Sequence, residues 1–155
     1  MILRIKMNNQ QTTDIRWKQR FQNFRRAFGL LREALESKSL DEYSDLEHEG
    51  IIHRFEQTFE LGWKTFKDYL EFSGINLTEA TPRKIIKECV AVNIFDEAEI
   101  NPEVFVDMML SRNTMSHSYD FKKFQQVIVK IKEQYLSELE KAYQFFMSKE
   151  TSDDA

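Results

Sequence analysis

Arg112 and His117 are the residues of this chain whose types and setting best suit chemistry. They lie in the polar run Ser111-Arg112-Asn113-Thr114-Met115-Ser116-His117-Ser118-Tyr119-Asp120, where one amphipathic stripe stops and the next begins. A histidine at a helix C-terminus feels the negative end of the backbone dipole, which favours the imidazolium and brings the ring into range for proton transfer. An arginine fork clamps a phosphate. These are the two groups a metal-independent ribonuclease needs. A base takes the proton of the ribose 2′-OH, that oxygen attacks the adjacent phosphorus, and a cation stabilises the phosphorane.

The same residues admit plainer readings. An arginine in a helix usually pairs with an acid, and an exposed histidine usually does nothing. Asn113, one turn before His117, could orient the imidazole or simply cap a local carbonyl. Tyr119 could pack its ring and bond its hydroxyl at a helix junction. Five residues separate Arg112 from His117, about 140° around an ideal helix. The two converge only if the helix opens at its end or a second protomer contributes.

The elements that must hold this run are helices. Trp17, Phe21, Phe24, Phe28, Leu31 and Leu35 alternate at spacings of four and three, predicting a first helix from an Asp14 N-cap to Ser37. Leu46, Ile51, Ile52, Phe55, Phe59, Trp63, Phe66 and Leu70 predict a second, stopped near Ser73-Gly74. Thr81-Pro82 opens a short third helix through Ile85, Ile86 and Val90 to about Asn93, and Asn101-Pro102-Glu103 opens a fourth that runs to about Ser116. Asp120 caps the last, whose stripe is Phe124, Ile128, Ile131, Tyr135, Leu139, Ala142 and Phe146. Helices of 25 or so residues, about 37 Å long, suit an antiparallel up-and-down bundle of four to five helices. The expected organisation is a loose leader over residues 1–13, one all-α domain over 14–149 and an acidic tail over 150–155.

Composition agrees. With 4 Gly and 2 Pro in 155 residues, hairpins, sandwiches and Gly-rich phosphate loops lose support together. The lone Cys89 makes no internal disulfide, no stretch is apolar enough to cross a bilayer, and a cytoplasmic protein is expected. Asp45 and His48, with Glu49 and His53, briefly resemble a metal-binding helix, but a di-iron bundle needs a second Glu-x-x-His partner that is absent from the sequence. No Walker loop, Rossmann fingerprint or nucleophile elbow occurs, so no metal or cofactor is expected. Charge is unevenly spread around a net −4. Arg16, Lys18, Arg20, Arg25, Arg26 and Arg32 share a stretch free of acids, and the next helix is acidic. Complementarity between neighbouring helices explains this, as does a phosphate-contacting face on which Arg16, Arg20, Arg25 and Arg26 touch RNA. Glu56 and Glu60 lie one turn apart among aromatics, but such acids are usually solvated or paired with residues such as Lys64, and they are left out of the catalytic set.

Three separated blocks carry a resemblance. They are Phe55-Glu56-Gln57-Thr58-Phe59-Glu60-Leu61-Gly62-Trp63-Lys64 with Asp68-Tyr69-Leu70, then Thr81-Pro82-Arg83, then Met108 to Asn113 running into His117-Ser118-Tyr119-Asp120. In this order they resemble the HepT-type HEPN family, called in older usage nucleotidyltransferase substrate-binding proteins. The last block is similar to that family's signature of Arg, four residues, His, any residue, Tyr. Phe105 and Asn93 depart from the pattern, where Trp and Gly are common. The resemblance implies a helical bundle that homodimerises, bringing two signatures to one cleft. It also implies a toxin that cuts RNA (tRNA or mRNA) without metal. Its partner would be a cognate MntA-type nucleotidyltransferase antitoxin, which transfers AMP to the signature tyrosine. On this sequence Arg112 and His117 would be catalytic, with Asn113 in support and Tyr119 the modified position. The alternative is a non-catalytic subunit that holds a substrate or nucleotide for a separate nucleotidyltransferase.

Overall fold

The chain forms an all-α bundle, described by a computed structural model over residues 8–115 and 120–152. Helix α1 (Asn9–Glu36) and helix α2 (Asp45–Phe72) make a long hairpin joined by a short 3-10 turn at Leu40–Glu42. Helices α3 (Pro82–Ala91) and α4 (Ile94–Ala98) lead into α5 (Pro102–Met115). Helix α6 (Phe121–Lys130) continues through a π-helical turn, Ile131–Tyr135, into α7 (Leu136–Ser152).

Cross-helix contacts give the directions. Arg16 meets Glu71, Arg20 meets Asp68 and Arg54 donates to the Leu30 carbonyl, so α1 and α2 run antiparallel. Gln22 meets Glu150 and Arg32 meets Glu140, so α7 also opposes α1. Asp107 and Ser111 meet Tyr135, which sets α5 against the last helix. The result is the expected up-and-down arrangement, with α3 and α4 filling the crossover between α2 and α5.

Aromatic rings fill the middle. Phe66 of α2 lies 4.6 Å from Phe146 and 5.2 Å from Phe95, centroid to centroid, and Phe95 lies 5.2 Å from Phe105. The two pairs made by Phe95 are edge-to-face, which adds to the burial of large side chains. Every residue of the first and last predicted stripes is buried. Gly62 lets α1 approach α2 closely, since a Cβ there would stand 3.2 Å from the Phe24 ring.

Helix boundaries differ from expectation where capping, and not apolar periodicity, decides them. Asn8 caps α1 in a reciprocal pair with Gln11, so residues expected in the leader are helical from Asn9 onward. Asp14 is therefore inside α1, where it accepts from the Trp17 indole at 3.0 Å and pairs with Lys18. The final helix runs into the expected tail, to Ser152. Leu46 stands 77% exposed in the first turn of α2, and Val90 is exposed on α3, so neither belongs to its stripe. Asn93 ends the third helical segment at φ 64°, a left-handed position that asparagine tolerates better than most residues. Gly74, at φ 89°, ends α2 as expected.

The start of α2 has a pH signature. Ser44 and Glu47 form a capping box, and Lys38 reaches Glu47 at 2.7 Å. The Lys38 hydrogen bond first, then the Ser44 backbone N–H, hold the Glu47 carboxyl at about 2, below its usual 4.5. A depressed carboxyl stabilises the fold above its unfolded pKa and loses that contribution as protons bind. The expected result is a stability contribution complete above pH 4.5 and falling away toward pH 2. Urea titrations of wild type and Glu47→Gln across that window check this, the variant showing the shallower acid dependence.

Candidate functional site at the end of α5

Arg112 occupies the last turn of α5, where the helix dipole favours a cation. Its guanidinium is held from α2. Nη1 lies 3.3 Å from Glu60 Oε2, and the guanidinium carbon lies 5.5 Å from the Phe59 ring centre. The side chain is 24% exposed, so it is fixed yet open on one side. Glu60 is shared, accepting from the Trp63 indole at 3.0 Å and pairing with Lys64 at 3.2 Å. Burial pushes the Glu60 carboxyl up, but the bonds from Trp63 and Lys64, with the charges of Lys64 and Arg112, outweigh it and hold the group ionised. Glu56, one turn earlier, goes the other way: burial raises its pKa, opposed by His53 and Arg112. Two carboxyls one turn apart thus have opposite proton affinities beside one arginine.

Sequence reasoning leaves Glu56 and Glu60 outside the site, and Lys64 does pair with Glu60 as that reasoning allows. It misses the contact to Arg112. A phenylalanine and a glutamate in succession on α2 give no sign that they face the end of a helix some 50 residues later.

A part-buried polar cluster anchors α5 just before Arg112. The Tyr135 hydroxyl donates to Asp107 Oδ2 at 2.5 Å and lies 2.7 Å from Ser111 Oγ, while Lys130 approaches Asp107 at 3.3 Å. Burial, then the bond to Asp107, raises the Tyr135 phenol far above its usual range, so it stays a donor. Tyr135 sits in the π-helical turn and stacks on Phe55 at 5.4 Å. Pi turns recur where a helix must re-aim a side chain. The inserted residue shows in the sequence only as two successive spacings of four, Ile131 to Tyr135 to Leu139, where a regular stripe alternates four and three, a departure too small to announce the turn.

The other expected site residues divide. Asn113 is exposed on α5. His117 and Tyr119 lie outside the described residues, between the end of α5 and the Asp120 cap of α6. On α1, Arg16 pairs with Glu71 at 3.2 Å and Arg20 pairs at 3.0 Å with Asp68, whose carboxylate is fully buried. Arg32 pairs with Glu140 at 3.0 Å. Complementarity between helices accounts for these three. Arg25 and Arg26 are exposed, Arg25 over the Tyr143 ring. Among the described residues no group of three or more His, Cys, Asp or Glu is placed to hold a metal. No helix among them is long and apolar enough to cross a membrane.

The fold is that of an all-α bundle protein, and among the described residues the candidate site is Arg112 at the end of α5, held against Phe59 and Glu60 of α2. The chain belongs to the family described as nucleotidyltransferase substrate binding protein like, whose profile it matches over residues 19–148. The match runs from within α1 to within α7 and takes in Arg112, His117 and Tyr119. No curated protein matches the chain.

Proposed function

We propose that this protein is the toxin of a toxin–antitoxin pair, a metal-independent RNA endonuclease restrained by a cognate nucleotidyltransferase. The observation that carries the reading is the fixed guanidinium of Arg112 at the end of α5, five residues before His117. A guanidinium presents paired N–H donors whose geometry matches a phosphate. In the reaction His117 takes the 2′-OH proton, the 2′-oxygen attacks phosphorus, and Arg112 balances the charge of the phosphorane. The proton then passes to the departing 5′-oxygen. Asn113 supports the imidazole. A homodimer supplies the second signature that the 140° separation calls for. The substrate is a cellular tRNA or mRNA, and the protein works in the cytoplasm with it.

Membership of a family described by its tie to nucleotidyltransferases supports the choice of partner. AMP on Tyr119 would add a phosphate charge and a base beside the cleft, repelling and obstructing an RNA backbone. Co-expression with the cognate transferase is expected to give a chain heavier by AMP, with the adduct on Tyr119 and absent from Tyr119→Phe. An unmodified chain from the same cells would count against this mode of restraint.

The family description also favours a second reading, a non-catalytic subunit that presents substrate to the transferase. That subunit would keep its dimer and its partner affinity without His117 and would cut nothing.

A further inference from the structure

The α5–α6 groove lies beside a second run of bases free of acids, apart from that of α1. From Phe121 to Lys132 the chain carries Lys122, Lys123, Lys130 and Lys132 and no acid. Lys122, Lys123 and Lys132 are exposed. Lys122, Gln126 and Lys130 follow one another at single-turn spacing, so α6 presents a polar, basic stripe opposite its buried face of Phe124, Val127 and Ile128.

That stripe borders a groove of about 290 Å³, with Lys123, Gln126 and Lys130 on one wall and Ser111 and Thr114 of α5 on the other. The volume is at the lower end of what small-ligand clefts enclose, roughly 300 Å³ upward. Its acid, Asp107, is already engaged by Lys130 and by the Tyr135 hydroxyl. Asp120, at the head of α6, accepts from the Lys122 backbone N–H at 2.9 Å. The two walls are α5, which carries Arg112 in its last turn, and α6.

We propose that this groove is a track for the RNA backbone, in which Lys122 and Lys123 contact phosphates of nucleotides flanking the scissile bond and Gln126 and Thr114 hydrogen-bond sugar or phosphate oxygens. The proposal rests on the nuclease reading for its substrate. It adds α6 to the RNA surface, while on α1 Arg16 and Arg20 are engaged by acids and Arg25 and Arg26 stay exposed. Such contacts are sequence-blind, which fits a groove whose lysine, glutamine and threonine side chains stand over an apolar floor of Leu110, Met115 and Val127, with no aromatic ring in its lining.

The test is fluorescence anisotropy with a single-stranded 2′-O-methyl RNA, which binds but lacks the attacking hydroxyl, at several salt concentrations. Wild type, Lys122→Gln/Lys123→Gln, Lys122→Arg/Lys123→Arg and the α3 control Lys87→Gln are compared, each checked for an unchanged thermal melt. The double glutamine variant is expected to bind about 20-fold more weakly at 0.1 M salt, and its salt slope to fall by about 0.7 for each phosphate no longer neutralised. The arginine pair and Lys87→Gln should stay near wild type. Unchanged affinity and slope in the glutamine pair overturn the proposal, as does loss of the paired transferase with RNA binding intact, which would make the groove a protein surface. If wild type binds the RNA through these lysines but cuts no ordinary RNA, the nuclease reading falls and the track stands. If wild type binds no RNA, both fall.

Discussion

Arg112→Ala is expected to lower RNA cleavage by about 10²–10³-fold, the cost of removing one donor aimed at transition-state charge. The loss should appear mainly in kcat, because the lysines of the groove still hold the substrate's phosphates. Arg112→Lys keeps the charge but not the fork, so it should recover only part of the activity. Folding should hardly change. Glu60, the partner left behind, keeps Trp63 and Lys64, and a partly exposed ion pair contributes about 1 kcal/mol or less. Single-turnover cleavage alongside a thermal melt separates the two effects. A variant that unfolds, or cleaves normally, would make the Arg112–Glu60 contact structural only.

Arg20→Ala should do the reverse. Asp68 is buried with its carboxylate fully removed from solvent, and Arg20 holds one oxygen at 3.0 Å while Lys67 stands 3.5 Å from the other. Breaking a buried pair from one side costs about 3 kcal/mol, since Lys67 at 3.5 Å only partly replaces the lost partner. At this chain length that lowers the melting temperature by roughly 6–12 °C. Replacing both partners, Arg20→Met with Asp68→Leu, should restore much of the loss, because the desolvation penalty disappears with the pair. An Arg20→Ala protein of normal stability with weakened RNA binding would put Arg20 on the RNA surface instead.

The two arginines show what is legible in the sequence and what is not. Helix-period stripes reveal the bundle, because burial of Phe21, Phe59 or Phe146 imposes a spacing visible without coordinates. Local chemistry at the ends is legible wherever a cap is a known pattern, as at Thr81-Pro82 and Asp120. The Asn8–Gln11 box escapes notice because Asn9 to Thr13 has no apolar stripe to announce a helix. Partners across the bundle are beyond reach. Arg20 and Arg25 look alike in a basic run, yet one ends against Asp68 and the other in solvent over Tyr143, because the pairing register of α1 and α2 is set by packing at places such as Gly62. The Arg112 signature is readable as a motif. Its setting against Phe59 and Glu60, and the Tyr135 anchor in the π turn, depend on contacts between residues far apart in the chain.

Catalysis by His117 next to Arg112 is what the proposed function stands on. The most direct measurement is induced expression of wild type and His117→Ala in a bacterial host, followed by inspection of total RNA and by cleavage of purified RNA in the presence of a chelator. Catalysis by His117 predicts growth arrest and fragmented RNA with wild type and neither with the variant. If both proteins are harmless, both dimerise and neither cuts purified RNA, the chain is a nucleotidyltransferase partner and not a nuclease.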